Sequence, residues 1–353
     1  MGLRASRRCL FLSLFITLMS WDGVKGQSCT PYDYAHDWQF LCPCHLFYGA
    51  EGLYWTIFQT NLDYAVSFKR NQSLELKKTH FFHHDWKWGV RLWMGWNWGC
   101  NWETRWIYSW YLSKNRGSKE SSDSTCGLKG SLLYPTKERT PIKRASGYNQ
   151  IKYQTVDWEA GNVLSFCGHT WILRPFIAWR FLRLEQTLKV NYKCSGFLWK
   201  RFDIVKWKSR LNTMGLHGGV EMNLRCANGL GLYGTLAGSL LGGRTRNRHW
   251  QGETKGHKRE KKGRNGKPVI DDINLREKRH VAIPELDLSA GFSWDYDDRH
   301  CVLYKLKLGY ELENYFLVPQ LRRYQGGSGA VSNSADAGQI AFHGVTFSAE
   351  IYF

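Results

Sequence analysis

Beyond its first 26 residues this chain has no run of 18 apolar residues. A bilayer-crossing helix needs about 20, so none is expected. The chain also lacks a nucleophile elbow, a Walker loop and a metalloprotease motif, so the common hydrolytic and nucleotide chemistries have no signature here. Spacing along a chain does not exclude a Ser/His pair assembled in space, but nothing points to one, and no enzyme and no cofactor are expected. A zinc site normally uses two ligand pairs of C-x2–4-C type. The cluster Cys42-Pro43-Cys44-His45 has the wrong spacing and no second pair, so no metal is assigned. His80, His83 and His84 are more simply read as solvated loop histidines. Negative charge is scarce: 30 Asp and Glu face 49 Lys and Arg, a net of +19. Such a field favours anions and polyanionic surfaces.

What is present begins with a leader. Arg4, Arg7 and Arg8 precede an apolar run from Cys9 to Met19, and Val24-Lys25-Gly26 offers a small-residue cleavage site. Residues 1–26 therefore read as a secretory signal peptide. Its removal leaves a chain of about +16, and export argues against nucleic acid as a partner. Aromatics make up 15% of the chain, with 18 Trp. The mean hydropathy of −0.46 is compatible with membrane strands, because these alternate apolar and polar residues.

The Trp residues concentrate in one hairpin. Trp86, Trp88, Val90, Leu92, Met94, Trp96 and Trp98 alternate with Lys87, Gly89, Arg91, Trp93, Gly95 and Asn97. After Gly99-Cys100-Asn101 the alternation resumes as Trp102, Thr104, Trp106, Tyr108, Trp110 and Leu112. Period-2 alternation places one set on each face of a strand. Each arm spans about 40 Å, enough to cross a bilayer when tilted. Further strands are expected near 50–66, 151–165, 170–192, 205–226, 229–243, 281–294, 301–315 and 339–353. Breaks after even-numbered strands are short. Those after odd-numbered strands are long: 67–85, 114–150, 193–204, 244–280 and 316–338. Short periplasmic turns and long external loops mark an outer-membrane barrel. The fold class expected is all-β, a transmembrane antiparallel up-and-down β-barrel of about ten strands. Twelve stay open, because Leu128 to Tyr134 is strand-like. The last strand alternates Val345, Phe347, Ala349, Ile351 and Phe353, and a terminal aromatic resembles the signal read by the barrel assembly machinery. A Trp-rich soluble lectin, the alternative class, needs neither that terminus nor ordered loop lengths.

Several segments resemble the MOMP-like pore-forming outer membrane proteins of legionellae and chlamydia-like bacteria. They are Ala50-Glu51-Gly52-Leu53-Tyr54-Trp55 with Leu62-Asp63-Tyr64-Ala65, Leu173 to Arg180, Leu236 to Gly242, Leu286 to Trp294, and Leu308-Gly309-Tyr310-Glu311. The resemblance covers about residues 49–353. It departs from the family at Ala178 and at Trp158-Glu159-Ala160-Gly161. It implies an outer-membrane β-barrel with a porin-like role in the bacterial cell outer membrane. On this reading residues 27–48 are a periplasmic N-terminal segment and 49–353 form the barrel.

Candidate site residues follow. Arg91, Arg105, Lys87 and Glu103 lie opposite the apolar face of the Trp hairpin, and Arg174 and Arg180 share one face. These are pore-lining candidates, unless they only satisfy one another in salt bridges. The stretch 244–280 is strongly basic, with Lys258, Arg259, Lys261, Lys262, Arg264 and Lys267 as a polyanion-binding candidate. Cys29, Cys42, Cys44, Cys100, Cys167, Cys226 and Cys301 fall at the periplasmic end, where they are disulfide candidates, within the chain or to other cysteine-rich envelope proteins. Cys126 and Cys194 fall outside. The partners expected are outer-membrane lipid, the assembly machinery and further envelope proteins, with a homo-oligomer left open. The function expected is diffusion of small polar solutes with a weak anion preference. The alternative is a structural or adhesive envelope protein, cross-linked by disulfides and basic at its surface.

Overall fold

A computed structural model describes residues 45–60, 62–70, 74–99, 101–121, 126–133, 142–166, 170–194, 200–256, 270–298, 302–327 and 330–353. The signal-peptide range, residues 27–44 and the basic run 258–267 lie outside the described residues. The strands are β1 (His45–Gln59), β2 (Asp63–Arg70), β3 (Leu74–Phe81), β4 (Lys87–Gly99), β5 (Trp102–Glu120), β6 (Cys126–Gly130), β7 (Ile142–Asn162), β8 (Leu164–Phe166), β9 (Trp171–Cys194), β10 (Lys200–Arg225), β11 (Leu230–Gly256), β12 (Ile270–Asp298), β13 (Val302–Gly327) and β14 (Ala330–Tyr352).

Ten of these form a closed antiparallel wall in the order β1-β4-β5-β7-β9-β10-β11-β12-β13-β14. The ring shuts where β14 pairs with β1, Tyr352 opposite Phe47. Every backbone group of the wall can then find a partner without water, the condition for strands to cross lipid. Side-chain alternation decides which face is which. On β11, Leu230, Leu232, Leu236 and Leu240 point out and are exposed, while Ala237 and Leu241 are buried. Leu230 to Leu240 covers about 33 Å of strand, or about 25 Å of height at a 40° tilt, which is the height of a lipid-facing band. In the Trp hairpin Trp88, Trp98 and Trp106 point outward, at 68%, 66% and 53% exposure. Trp106 stacks on Trp158 of β7 at 5.7 Å, and Trp158 pairs in turn with Trp179 of β9.

Three sequence expectations are corrected. The first strand ends at Gln59, and Leu62-Asp63-Tyr64-Ala65 begins a separate strand, because Tyr64 and Ala65 bury inside the external mouth. The Leu128–Tyr134 stretch does not make strands eleven and twelve; its described part, β6, is five residues long and pairs with β2 inside that mouth. Residues 45–48 belong to the wall rather than to an N-terminal segment, since Leu46 and Phe47 pair with β4. The wall strands also run into the ranges read as external loops. β5 continues to Glu120 and β11 to Gly256. The apolar half of the alternation stops at the lipid band, whereas backbone pairing continues past it.

Candidate functional site: the lumen

Inward-facing side chains fill the barrel in layers. On the periplasmic side lies an ionic layer. Arg105 sits 2.7 Å from Glu103 and 3.4 Å from Glu221, and Arg174 reaches Glu103, Glu159 and Glu221. Glu350 accepts from Trp93 Nε1 at 2.9 Å and lies 3.8 Å from Lys307.

A second ionic layer stands further out. Arg91 donates to Glu51 at 2.6 Å, to Glu311 at 2.9 Å and to Glu313 at 2.8 Å. Arg180 donates to Asp157 through Nε and Nη2, at 2.9 and 2.8 Å, and to Glu285 through Nη1. Asp287, Glu311 and Glu313 bring carboxylate oxygens within 4.8 Å of one another, with Oδ1 of Asp287 buried and without a partner. Each arginine has its charge matched from more than one strand, which is the condition for a buried ion to be tolerated.

Above these is an apolar layer. Trp55, Tyr111, Tyr153, Tyr315 and Phe342 are fully buried. Phe342 packs on Tyr153 at 4.6 Å and on Trp55 at 5.9 Å. Tyr153 and Tyr315 meet hydroxyl to hydroxyl at 3.0 Å, and Tyr153 also donates to Glu313 at 2.5 Å. β7 and β13 lie on opposite sides of the ten-strand ring, so this contact bridges the lumen. The guanidinium of Arg91 sits 5.7 Å from the Trp55 ring, joining ionic and apolar layers.

The external mouth is filled by the connections from β1 to β4 and from β5 to β7. Tyr64, Ala65, Phe82, Leu128, Leu132 and Leu133 pack against Val190, Tyr192, Val205 and Trp207 of the wall. Tyr192 Oη donates to the Tyr64 carbonyl at 2.6 Å. His84 turns inward, 3.2 Å from Ser113 Oγ and 3.1 Å from the Asn149 amide. Burial lowers its pKa to about 4, against an opposing pull from Asp85. His80 bonds Ser67 at 2.7 Å, whereas His83 is exposed, so the three histidines face different surroundings.

Of the sequence candidates, Arg91, Arg105, Glu103, Arg174 and Arg180 all face the lumen, each within an ion pair, and Lys87 has the inward parity of β4. Their partners on β1 (Glu51), β7 (Asp157, Glu159), β10 (Glu221), β12 (Glu285) and β13 (Glu311, Glu313) were not among the candidates. The signal was present in Glu285-Leu286-Asp287, Lys305-Leu306-Lys307 and Glu311-Leu312-Glu313, where a charge recurs every second residue beside an apolar face. Along the described wall, inward carboxylates outnumber inward cations. Cys226 is a free, exposed thiol at the periplasmic turn between β10 and β11. Cys29, Cys42, Cys44, Cys100, Cys167 and Cys301, like the basic run from Lys258 through Arg259, Lys261, Lys262 and Arg264 to Lys267, lie outside the described residues. Phe353 ends the chain on the closing seam: its N–H donates to the Leu46 carbonyl at 3.2 Å and its ring lies 5.4 Å from Tyr48.

Residues 43–353 match a family model described as Legionella pneumophila major outer membrane protein precursor. No curated protein matches the chain. Among solved structures, the outer membrane protease OmpT of Escherichia coli is similar at 9% identity and a TM-score of 0.41, covering 88% of this chain and 97% of that one. A major outer membrane protein of Thermus thermophilus follows at 10% identity and a TM-score of 0.29, covering 87% and 99%. A Pseudomonas aeruginosa FadL homologue gives 6% identity and a TM-score of 0.23, covering 90% and 91%.

Proposed function

The chain belongs to the Legionella major outer membrane protein family and is an outer-membrane β-barrel, and from that premise we propose that it is a porin-like passage for small polar solutes, closed in the conformation described. The observation that carries this reading is the double ionic layer. A barrel serving only as a wall has no need to hold so many charges inside it, and interiors lined with charge are the means by which barrels select solutes. The Tyr153–Tyr315 bridge and the docked mouth segments supply the closure. Passage requires both to move. The excess of carboxylates along the lumen supports a preference for small cations. This reverses the anion preference expected from net charge, because among the described residues the exposed cations of β5, β7 and β9 to β12 face outward.

A second reading has its own support. Ten strands enclose little space, and eight are already filled by their side chains. The apolar layer across the lumen and the exposed Cys226 thiol favour a closed structural barrel tied to other envelope proteins. Single-channel recording of refolded protein in planar bilayers under a KCl gradient separates the two. Cation-selective steps support the passage. Silence at every voltage, with the chain refolded, leaves the structural barrel.

A further inference from the structure

The outer face of β9 to β12 carries a dense field of cations immediately beyond the lipid-facing band. On β11 the apolar outward series ends at Leu240 and Gly242, and the next outward residues are Arg244, Arg246 and Arg248. Register places Arg210 of β10 and Lys278 of β12 directly beside Arg246, and Lys208 and Arg276 directly beside Arg248. Two rows of three cations result, about 4.8 Å apart across the strands and about 6.6 Å along them. Like charges directly opposite on neighbouring strands repel, and these distances are shorter than the screening length at physiological salt. Among the described side chains of this face Glu185 is the only carboxylate. It holds Arg183 at 2.7 Å and Arg210 at 2.8 Å, and the others have no carboxylate partner among the described residues.

A patch of repelling cations calls for an external polyanion, and its position says which. It lies on the lipid-facing surface rather than at the mouth, one or two residue pairs above the hydrocarbon edge. That is the depth of the headgroup phosphates of the outer leaflet. We propose that this face is a binding site for a phosphorylated glycolipid of that leaflet, whose acyl chains lie along Leu236 and Leu240 while its phosphates sit among Lys208, Arg246, Arg248 and Arg276. The residues are distinct from the run at 258–267, and the site does not depend on whether the barrel conducts.

The test uses the full mature chain, folded in a zwitterionic detergent, with bisphosphorylated lipid A as probe and the same lipid stripped of phosphate as control. The variant Lys208→Gln/Arg246→Gln/Arg248→Gln/Arg276→Gln removes four of the six cations of the two rows, leaving Arg210, which Glu185 holds, and Lys278. A charge-matched variant, Lys114→Gln/Arg116→Gln/Arg144→Gln/Lys152→Gln, removes four exposed cations from β5 and β7. Retention of the compact, unheated gel mobility establishes that each variant is folded. At 150 mM salt the first variant is expected to bind the phosphorylated lipid at least tenfold more weakly than the parent, the second within twofold of it. Each cation at an anionic surface contributes separately, so four should be felt together. Equal binding by all three proteins, equal loss in both variants, or equal binding of the stripped lipid overturns the proposal. Tighter binding of a heparin-derived oligosaccharide than of the lipid also overturns it, in favour of an extracellular polyanion.

Discussion

Arg180 bonds Asp157 with two nitrogens and Glu285 with a third, across three strands of the wall. Removing the cation leaves two carboxylates facing each other inside the barrel, so Arg180→Met should cost about 3 kcal/mol or more. The midpoint of urea unfolding, followed by loss of the compact gel band, measures it. Adding Asp157→Asn and Glu285→Gln to the same chain should recover much of the loss, since no buried charge is then orphaned. His84 carries a second expectation. Its pKa is lowered in the docked mouth, so the undocked state binds more protons between about pH 6.5 and about pH 4. Docking is therefore complete above pH 6.5 and weakens as pH falls towards 4, by up to about 1.4 kcal/mol per pH unit. An NMR titration of the imidazole should place its midpoint near 4. A midpoint near 6.5 would mean that the histidine is solvated and the mouth open.

Between β10 and β11 the chain reverses through Asn228, at φ 61°, and Gly229, at φ 76°. Both torsions are left-handed, where Gly and Asn are the tolerant residues. A Cβ at Gly229 would also lie 2.3 Å from the Asp295 carbonyl oxygen, a backbone atom that has little room to retreat. Gly229→Ala should thus lower stability by about 1–3 kcal/mol, while Asn228→Gly should be nearly neutral. Refolding yield in detergent and the urea midpoint of the two variants provide the comparison. The Trp hairpin makes a contrasting case. Its face is set by alternation alone, so Trp88→Phe or Trp98→Phe should leave the wall intact.

Across the whole molecule the wall closes where β14 meets β1, so closure of the ring needs the residues of β14. Deleting Phe353 removes the N–H bond to Leu46 and the ring against Tyr48 at that seam. The yield of compact, membrane-inserted protein in cells should fall severalfold, while the little that folds keeps nearly parental stability. An unchanged yield would show that Phe353 is only the end of a strand. Charge is a property of the same scale. The chain is strongly basic, yet its lumen is richer in carboxylates, so the reversal potential of any conducting barrel should follow the lumen and not the net charge.

Much of the architecture is legible in the sequence. A strand count of about ten, with twelve left open, the hairpin order and the outward face of Trp88 to Trp98 follow from period-2 alternation and loop lengths, which are local properties of the chain. The partners inside the barrel were not legible. Alternation says that Arg91 and Trp88 point oppositely, but only ring closure brings Glu311 and Glu313, more than 200 residues away, onto Arg91. It likewise cannot tell a strand that continues the wall from one that turns into the mouth, as β2 and β6 do, because both alternate. Sequence determined that this chain lines lipid with one face of its strands. Tertiary structure decided that the other face fills the lumen and pairs its charges there, and that unpaired cations gather on the outside, because the neighbours of a strand residue are set by register and closure rather than by spacing.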